Sequence, residues 1–234
     1  MRYWSRGVIA EVKADESPVT VADREAERVI AAILSDAFPA DGLLGEEGAA
    51  RESHNGRRWI IDPIDGTRDF VRGNPAWAVL IGLEEAGEVV AGVANLAATG
   101  EMVTAARGSG AWLNGARVHV SGVADPAQAV LCVSQLNRLE GFAFAQRLME
   151  WMKPFWAVRS MGGCLDATMV ARGQADLWIE PAAAPWDLAA LKIIVEEAGG
   201  RFFNFDGGAS IGGGNCVCCT PGLEALARAF VRVY

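Results

Sequence analysis

After Thr20 the apolar positions Val29, Ile30, Ile33, Leu34, Ala37 and Phe38 recur every three or four residues, which predicts a helix that Pro39 stops. The spacing then changes. Trp59–Ile61 is a short continuous apolar run that predicts a buried strand, and it leads straight into Asp62-Pro-Ile-Asp-Gly-Thr67. Trp77–Leu83 and Glu88–Asn95 flank Glu84-Glu-Ala-Gly87 as a hairpin does, with Glu101–Ala106 and Arg117–Ser121 as further strands. The first half therefore predicts one long helix and a meandering sheet. In the second half, strands at Ala129–Ser134, Phe155–Val158 and Ala175–Ile179 alternate with helical stretches at Phe142–Met152 and Leu165–Arg172. Another helix, Trp186–Ala198, begins just after Pro185 and ends at Gly199-Gly200. Strands Arg201–Phe205 and Cys216–Cys219 and a helix Leu223–Phe230 complete the pattern. Helices covering sheets in both halves predict a layered α/β domain, with the strand order left open.

A chain of 234 residues makes one compact domain or two tightly joined halves, and a single domain over 1–234 is expected here, with an N-terminal half 1–125 and a C-terminal half 126–234. Its 51% apolar and 21% charged residues are those of a globular protein able to bury a sizeable core. A net charge of −8 argues against nucleic acid and anionic membranes as partners. It leaves room for a small anionic substrate, because bound divalent cations invert the field of an acidic cluster. No window approaches the roughly 18 apolar residues of a membrane helix. The opening residues also lack the apolar stretch of a signal peptide, so a cytoplasmic location is expected. The five cysteines include Cys216, Cys218 and Cys219 without Cys-x-x-Cys spacing and read as reduced thiols buried in a strand.

The two histidines, His54 and His119, sit in no recognisable constellation, which argues against a histidine-centred hydrolase. Carboxylates carry the chemistry instead. Asp62 and Asp65 flank Pro63-Ile64 directly after a buried strand, where proline fixes the backbone and Gly66 permits a tight turn. That turn can aim two carboxylates and the Ile64 carbonyl at one point, the all-oxygen set that Mg²⁺ prefers. An Asp-rich turn satisfying its own N–H groups is the plainer alternative. Thr67, the acidic pair in Gly45-Glu-Glu47 and Trp186-Asp187 at a helix start shift the balance to a metal site.

The run Trp59-Ile-Ile-Asp-Pro-Ile-Asp-Gly-Thr67, with Gly45-Glu-Glu before it and Pro185-Trp-Asp-Leu-Ala-Ala190 and Glu197-Ala-Gly-Gly200 after it, resembles the inositol monophosphatase family. Lys13-Ala-Asp-Glu-Ser-Pro-Val-Thr-Val-Ala-Asp23 is similar to its N-terminal signature. The resemblance implies a layered α-β-α-β-α sandwich of the inositol monophosphatase and fructose-1,6-bisphosphatase type. It also implies a Mg²⁺-dependent phosphomonoesterase with two or three ions per site, and commonly a Li⁺-inhibited homodimer. By the same resemblance Glu46, Asp62, Asp65 and the Ile64 carbonyl surround a first ion, and Asp187 joins Asp62 and Asp65 around a second. Glu47 and Lys13 support this shell, and Thr67 with Asp23 positions the attacking water. Thr20-x-x-Asp23 is also close to a capping box, and one residue can serve both ends. If Gly66 and Thr67 open a helix, their N–H groups can bind phosphate oxygens.

For the substrate wall the resemblance offers Glu180, Gly162 and Gly163, with Arg159 and Asp166 beside them. An acidic wall of Glu180 and Asp166 suits an alcohol carrying an ammonium group, such as L-histidinol phosphate, and inositol hydroxyls suit Glu180 as well. The wording Asp-Gly-Thr-Arg-x-Phe-Val-Arg-Gly is closer to the histidinol-phosphatase branch than to the animal inositol enzymes. Two departures stand out: Asp69 where the family usually has Asn, and only twelve residues before Lys13. The alternatives are a nucleotide 3′-phosphatase acting on adenosine 3′,5′-bisphosphate, which needs a basic cluster, and a non-catalytic scaffold, which would be expected to have lost carboxylates that are all present.

Overall fold

A computed structural model of the chain describes residues 1, 3–4, 9–12 and 18–232, so Lys13 lies outside the described residues. A short pair, β1 (Glu11–Val12) and β2 (Pro18–Val19), precedes α1 (Val21–Ala37). Thr20 starts α1 by accepting the Ala22 N–H at 3.1 Å, while Asp23 reaches back to the Thr20 N–H at 2.9 Å, the reciprocal arrangement of a capping box. Next come β3 (Gly42–Gly45), β4 (Ala50–Arg51), β5 (Arg57–Asp65) and the short helix α2 (Thr67–Arg72). The meander follows as β6 (Ala78–Glu85), β7 (Glu88–Leu96), β8 (Glu101–Ala106), β9 (Gly110–Leu113) and β10 (Ala116–Val118). These form an eight-stranded sheet in the order β10-β9-β8-β7-β6-β5-β3-β4, in which β3 and β5 run parallel and the other pairs antiparallel.

The later residues supply β11 (Val130–Val133), α3 (Leu148–Met152), β12 (Ala157–Arg159), α4 (Gly163–Ala171), β13 (Leu177–Glu180), α5 (Pro185–Glu197), β14 (Arg201–Phe203), β15 (Cys216–Cys219) and α6 (Glu224–Val231). The second sheet has the order β12-β11-β13-β15-β14, with β11 parallel to both of its neighbours. Helices α4 and α5 lie between the two sheets, α1 covers the outer face of the large sheet, and α6 covers the outer face of the small one. The result is an α-β-α-β-α sandwich. Period-two alternation makes the small sheet apolar on both faces: Cys132, Trp178, Cys216 and Cys218 face the middle helices, while Leu131, Val133, Leu177, Ile179, Val217 and Cys219 face the outer layer. All five cysteines are buried free thiols, three of them on β15, where they pack as small apolar side chains.

Two features seat α5. Gly82 and Gly92 are register partners on β6 and β7. A Cβ on Gly82 would lie 2.7 Å from Ala189 Cβ, and one on Gly92 would lie 2.6 Å from Ile193 Cγ2, so the bare backbone is what lets the helix lie on the sheet. At the far end, the Glu197 carboxylate accepts the N–H groups of Gly108 and Gly110 at 2.9 and 2.8 Å, which ties α5 to the β8–β9 turn.

The helix expected over Phe142–Met152 is corrected. Tight 3-10 turns occupy Leu136–Gly141 and Ala145–Arg147, and only Leu148–Met152 is α-helical. Phe144, 2% exposed, stacks on Phe142 at 5.4 Å and meets Phe205 edge-on, and this packing overrides the helical spacing. The strand expected over Arg201–Phe205 stops at Phe203, where the Asn204 side chain turns to hold the backbone of the following loop. Among the described residues no helix is long and apolar enough to cross a membrane.

Candidate active site

Parallel pairing of β3 with β5 ends with Gly45 opposite Ile61, so Glu46 and Asp62 are the neighbouring residues just beyond the paired stretch. The Glu46 N–H donates to the Ile61 carbonyl at 3.1 Å. Between Asp62 and Asp65 the register with β6 shifts, a bulge that re-aims side chains. There the Ile64 N–H donates to Asp62 Oδ1 at 2.9 Å. Gly66 turns the chain into α2 at φ 86°, where an added Cβ would lie 2.7 Å from the Ala76 carbonyl oxygen. Thr67 follows, its hydroxyl 3.1 Å from the Ile64 carbonyl and 3.3 Å from Asp23 Oδ1, with one proton for either acceptor. Asp23, fully buried, is held through its other oxygen by the Thr20 N–H and hydroxyl at 2.9 and 2.5 Å.

The other side comes from the middle layer and the small sheet. Asp187 sits in the first turn of α5 after Pro185, and its Oδ2 accepts the Ala184 N–H at 2.7 Å. Asp65 Oδ2 accepts the Cys164 N–H at 2.9 Å. Asp62, Asp65 and Asp187 each offer an oxygen within 4.8 Å of the others. Glu46 lines the same cleft, which has a volume of about 520 Å³. Glu180, at the carboxyl end of β13, forms its far wall and accepts from the Gln135 amide at 2.8 Å. Each sheet thus contributes residues from the carboxyl ends of a parallel pair, as ligand clefts of α/β sheets generally do.

Burial pushes Asp62 well above the usual carboxylate range, and the charges of Asp65, Glu46 and Asp187 add to it. Burial also raises Asp65, against the opposing Cys164 N–H. Glu180 is pushed up to about 8, mainly by burial. Crowded carboxylates of this kind are a hard-cation site in waiting, since a bound cation removes the repulsion that raises them. A stability prediction follows from the sign. These groups hold protons more tightly folded than unfolded, so their contribution is fully present below the unfolded values. It is lost as pH rises through the folded ones. In EDTA the melting temperature is expected to fall as pH rises from the ordinary glutamate value of 4.5 toward the value of about 8 for Glu180. Excess Mg²⁺ is expected to flatten that slope, and calorimetry at several pH values measures both.

Of the wall residues expected from sequence, Gly162, Gly163 and Glu180 line the cleft. Asp166 does not, and its placement is a correction. It is fully buried, and its carboxylate accepts from the Ser134 hydroxyl at 3.1 Å and from the Met161 and Gly162 N–H groups, so it shapes the loop from behind. Arg159 is likewise outside the lining, exposed, with its guanidinium on the Val158 carbonyl. Glu47 is not among the lining residues, and its N–H donates to Glu27 at 2.8 Å. Sequence reasoning missed Gln135, Arg68 and Arg138 on the wall. Gln135 reaches Glu180 across 45 positions of chain from a left-handed backbone at φ 44°, and no local motif signals such a contact.

A layered sandwich with a carboxylate cleft between its sheets defines the class. The model of the inositol monophosphatase family matches residues 1–233. A histidinol-phosphatase of Mycobacterium tuberculosis is 42% identical over 97% of this chain and 90% of its own. An inositol-1-monophosphatase of Rhizobium meliloti is 37% identical over 95% and 84%. The solved structure of the extragenic suppressor protein suhB from Bartonella henselae superposes with a TM-score of 0.91 at 31% identity, covering 99% of this chain and 92% of that one. The chain belongs to the inositol monophosphatase family and is a phosphoric monoester hydrolase.

Proposed function

We propose that the protein is a Mg²⁺-dependent phosphatase of a small alcohol phosphate, with L-histidinol phosphate the favoured substrate. The observation that carries this is the convergence of Asp62, Asp65 and Asp187 within 4.8 Å, all hard oxygen donors in one cleft. Glu46, Asp62, Asp65 and the Ile64 carbonyl would hold one ion, and Asp187 with Asp62 and Asp65 a second. Held there, divalent ions would supply positive charge to lower the pKa of a bound water and to offset the charge on the leaving oxygen. The chain does the positioning. Asp23 accepts the Thr67 proton, which leaves the Thr67 oxygen as acceptor for the water that attacks phosphorus. The Thr67 and Arg68 N–H groups, at the start of α2, would be the backbone donors for the phosphate oxygens.

Two things support the substrate class. The far wall carries Glu180, whose charged form is disfavoured by burial and would be stabilised by a substrate ammonium group, and Asp69, which Asn74 holds at 2.6 Å, lines the same cleft. The 42% identity to a histidinol-phosphatase exceeds the 37% to an inositol-1-monophosphatase. Arg68 and Arg138 in the lining are the observation favouring a second reading, a bisphosphate with a further anionic group. Mg²⁺-dependent phosphate release from L-histidinol phosphate, inositol 1-phosphate and adenosine 3′,5′-bisphosphate, compared by kcat/KM, separates them. Histidinol phosphate is expected to lead by about a hundredfold or more, since a site whose buried polar groups the wrong substrate leaves unpaired discriminates beyond the roughly hundredfold of an apolar pocket. A lead for either of the others overturns the choice of substrate, and turnover of none overturns the activity.

A further inference from the structure

Glu27 lies one helical turn after Asp23 on the same buried side of α1 and is 3% exposed. Its two carboxylate oxygens are divided between two backbone donors: Oε2 accepts the Glu47 N–H at 2.8 Å and Oε1 the Ala49 N–H at 2.7 Å. Both donors belong to the turn that joins β3 to β4, which the Gly45 N–H closes on the Ala49 carbonyl at 2.7 Å. Glu46 sits inside this loop, its own N–H pinned to Ile61. Gly45 is what lets the carboxylate settle there, because a Cβ at that position would lie 2.3 Å from Glu27 Oε2. A helix residue twenty positions upstream therefore clamps the chain immediately beyond Glu46, the cleft residue that follows β3.

We propose that Glu27 is a positioning residue: by clamping the 45–49 turn it fixes Glu46 in the cleft and so sets the affinity for the divalent cation. This rests on the reading of Glu46 as a cation ligand. A merely structural Glu27 would serve to anchor α1, and its loss would lower stability without touching cation binding selectively. Charge alone is an insufficient account, since the two bonds are directional and end on Glu47, the residue after Glu46, and on Ala49, which closes the same turn. A carboxylate receiving two N–H groups is the strong form of such a clamp.

The test is E27Q, a near-isosteric change that puts an NH₂ where one of the two N–H groups needs an acceptor. Mg²⁺ affinity of the full chain is measured by titration calorimetry, and amide hydrogen exchange is followed at Glu47 and Ala49. E27Q is expected to bind Mg²⁺ about 10- to 100-fold more weakly, as changes behind a metal ligand do, with faster exchange at both amides and kcat restored at saturating Mg²⁺. Unchanged Mg²⁺ affinity despite faster exchange overturns the proposal. G45A, which displaces the carboxylate while keeping it, carries the same readouts if E27Q does not fold. E46Q separates the two claims. If E46Q binds Mg²⁺ as the parent does, the reading of Glu46 fails and this one with it; if E46Q weakens binding and E27Q does not, only Glu27 is misassigned. Adding E27Q to E46Q is expected to cost no further affinity, since the first acts through the second.

Discussion

Asp187→Asn is expected to lower kcat/KM about a thousandfold, the upper range for removing one preorganised electrostatic group from a buried site. In the absence of divalent cations the same change is expected to raise the melting temperature. The reason is the crowding around Asp62, whose carboxyl is pushed up by burial first and then by Asp65, Glu46 and Asp187. Removing one like charge relieves that repulsion, while the first turn of α5 keeps Pro185 to hold its start. Activity lost with apo stability gained marks a site where charge is kept for function at a cost in folding free energy. An Asp187→Asn protein that retains turnover would falsify the cation-site reading. Rates at several Mg²⁺ concentrations and melts in EDTA supply the two numbers.

Gly92→Val is the second large effect. The new Cβ would lie 2.6 Å from Ile193 Cγ2 and 2.8 Å from the Ala190 carbonyl oxygen, so helix and strand must part. Overpacking of a close-packed core costs about 1–3 kcal/mol, and here the Ala190 backbone is in the way as well as the Ile193 side chain, which places the loss at the upper end. Because α5 carries Asp187, lifting it off the sheet also moves one carboxylate out of the cluster. The expected result is a melting temperature lower by several degrees together with a fall in Mg²⁺ affinity at temperatures where the variant is fully folded. Stability loss with unaltered affinity would show that α5 tilts about its first turn instead of lifting.

The candidate chemistry was legible in the chain because the carboxylates lie in short local motifs. Asp62-Pro-Ile-Asp65 places two of them on one bulged strand end, and Pro185-Trp-Asp187 puts a third in a helix's first turn. The long, regularly spaced elements were legible as well: α1, the β6–β7 hairpin and α5 lie close to where apolar spacing put them. What was hidden depends on neighbours distant in sequence. Strand β3, Gly-Leu-Leu-Gly, has too little β-branched character to announce itself and forms because β5 supplies its partner. The Phe142–Met152 stretch keeps a helix-like spacing but is bent by Phe205, over fifty residues on. Asp166 and Glu180 looked alike as acids near a loop. Only the packing of α4 against β11 and β13 turns one into the loop's internal anchor and the other into the cleft wall.

Asp62 and Asp65 belong to the large sheet, whereas Asp187 belongs to the helix wedged between that sheet and the small one. A cation gripped by all three is therefore a rivet through two layers of the sandwich. The layers cannot separate without releasing it, so ion occupancy and the global unfolding equilibrium are linked. Saturation to about a hundred times the dissociation constant adds about 2.7 kcal/mol to that equilibrium. On the proposed reading a chelator would act on such a molecule as a denaturant, and swings in free divalent cation concentration would set how long the folded chain survives proteolysis as well as how fast it turns over.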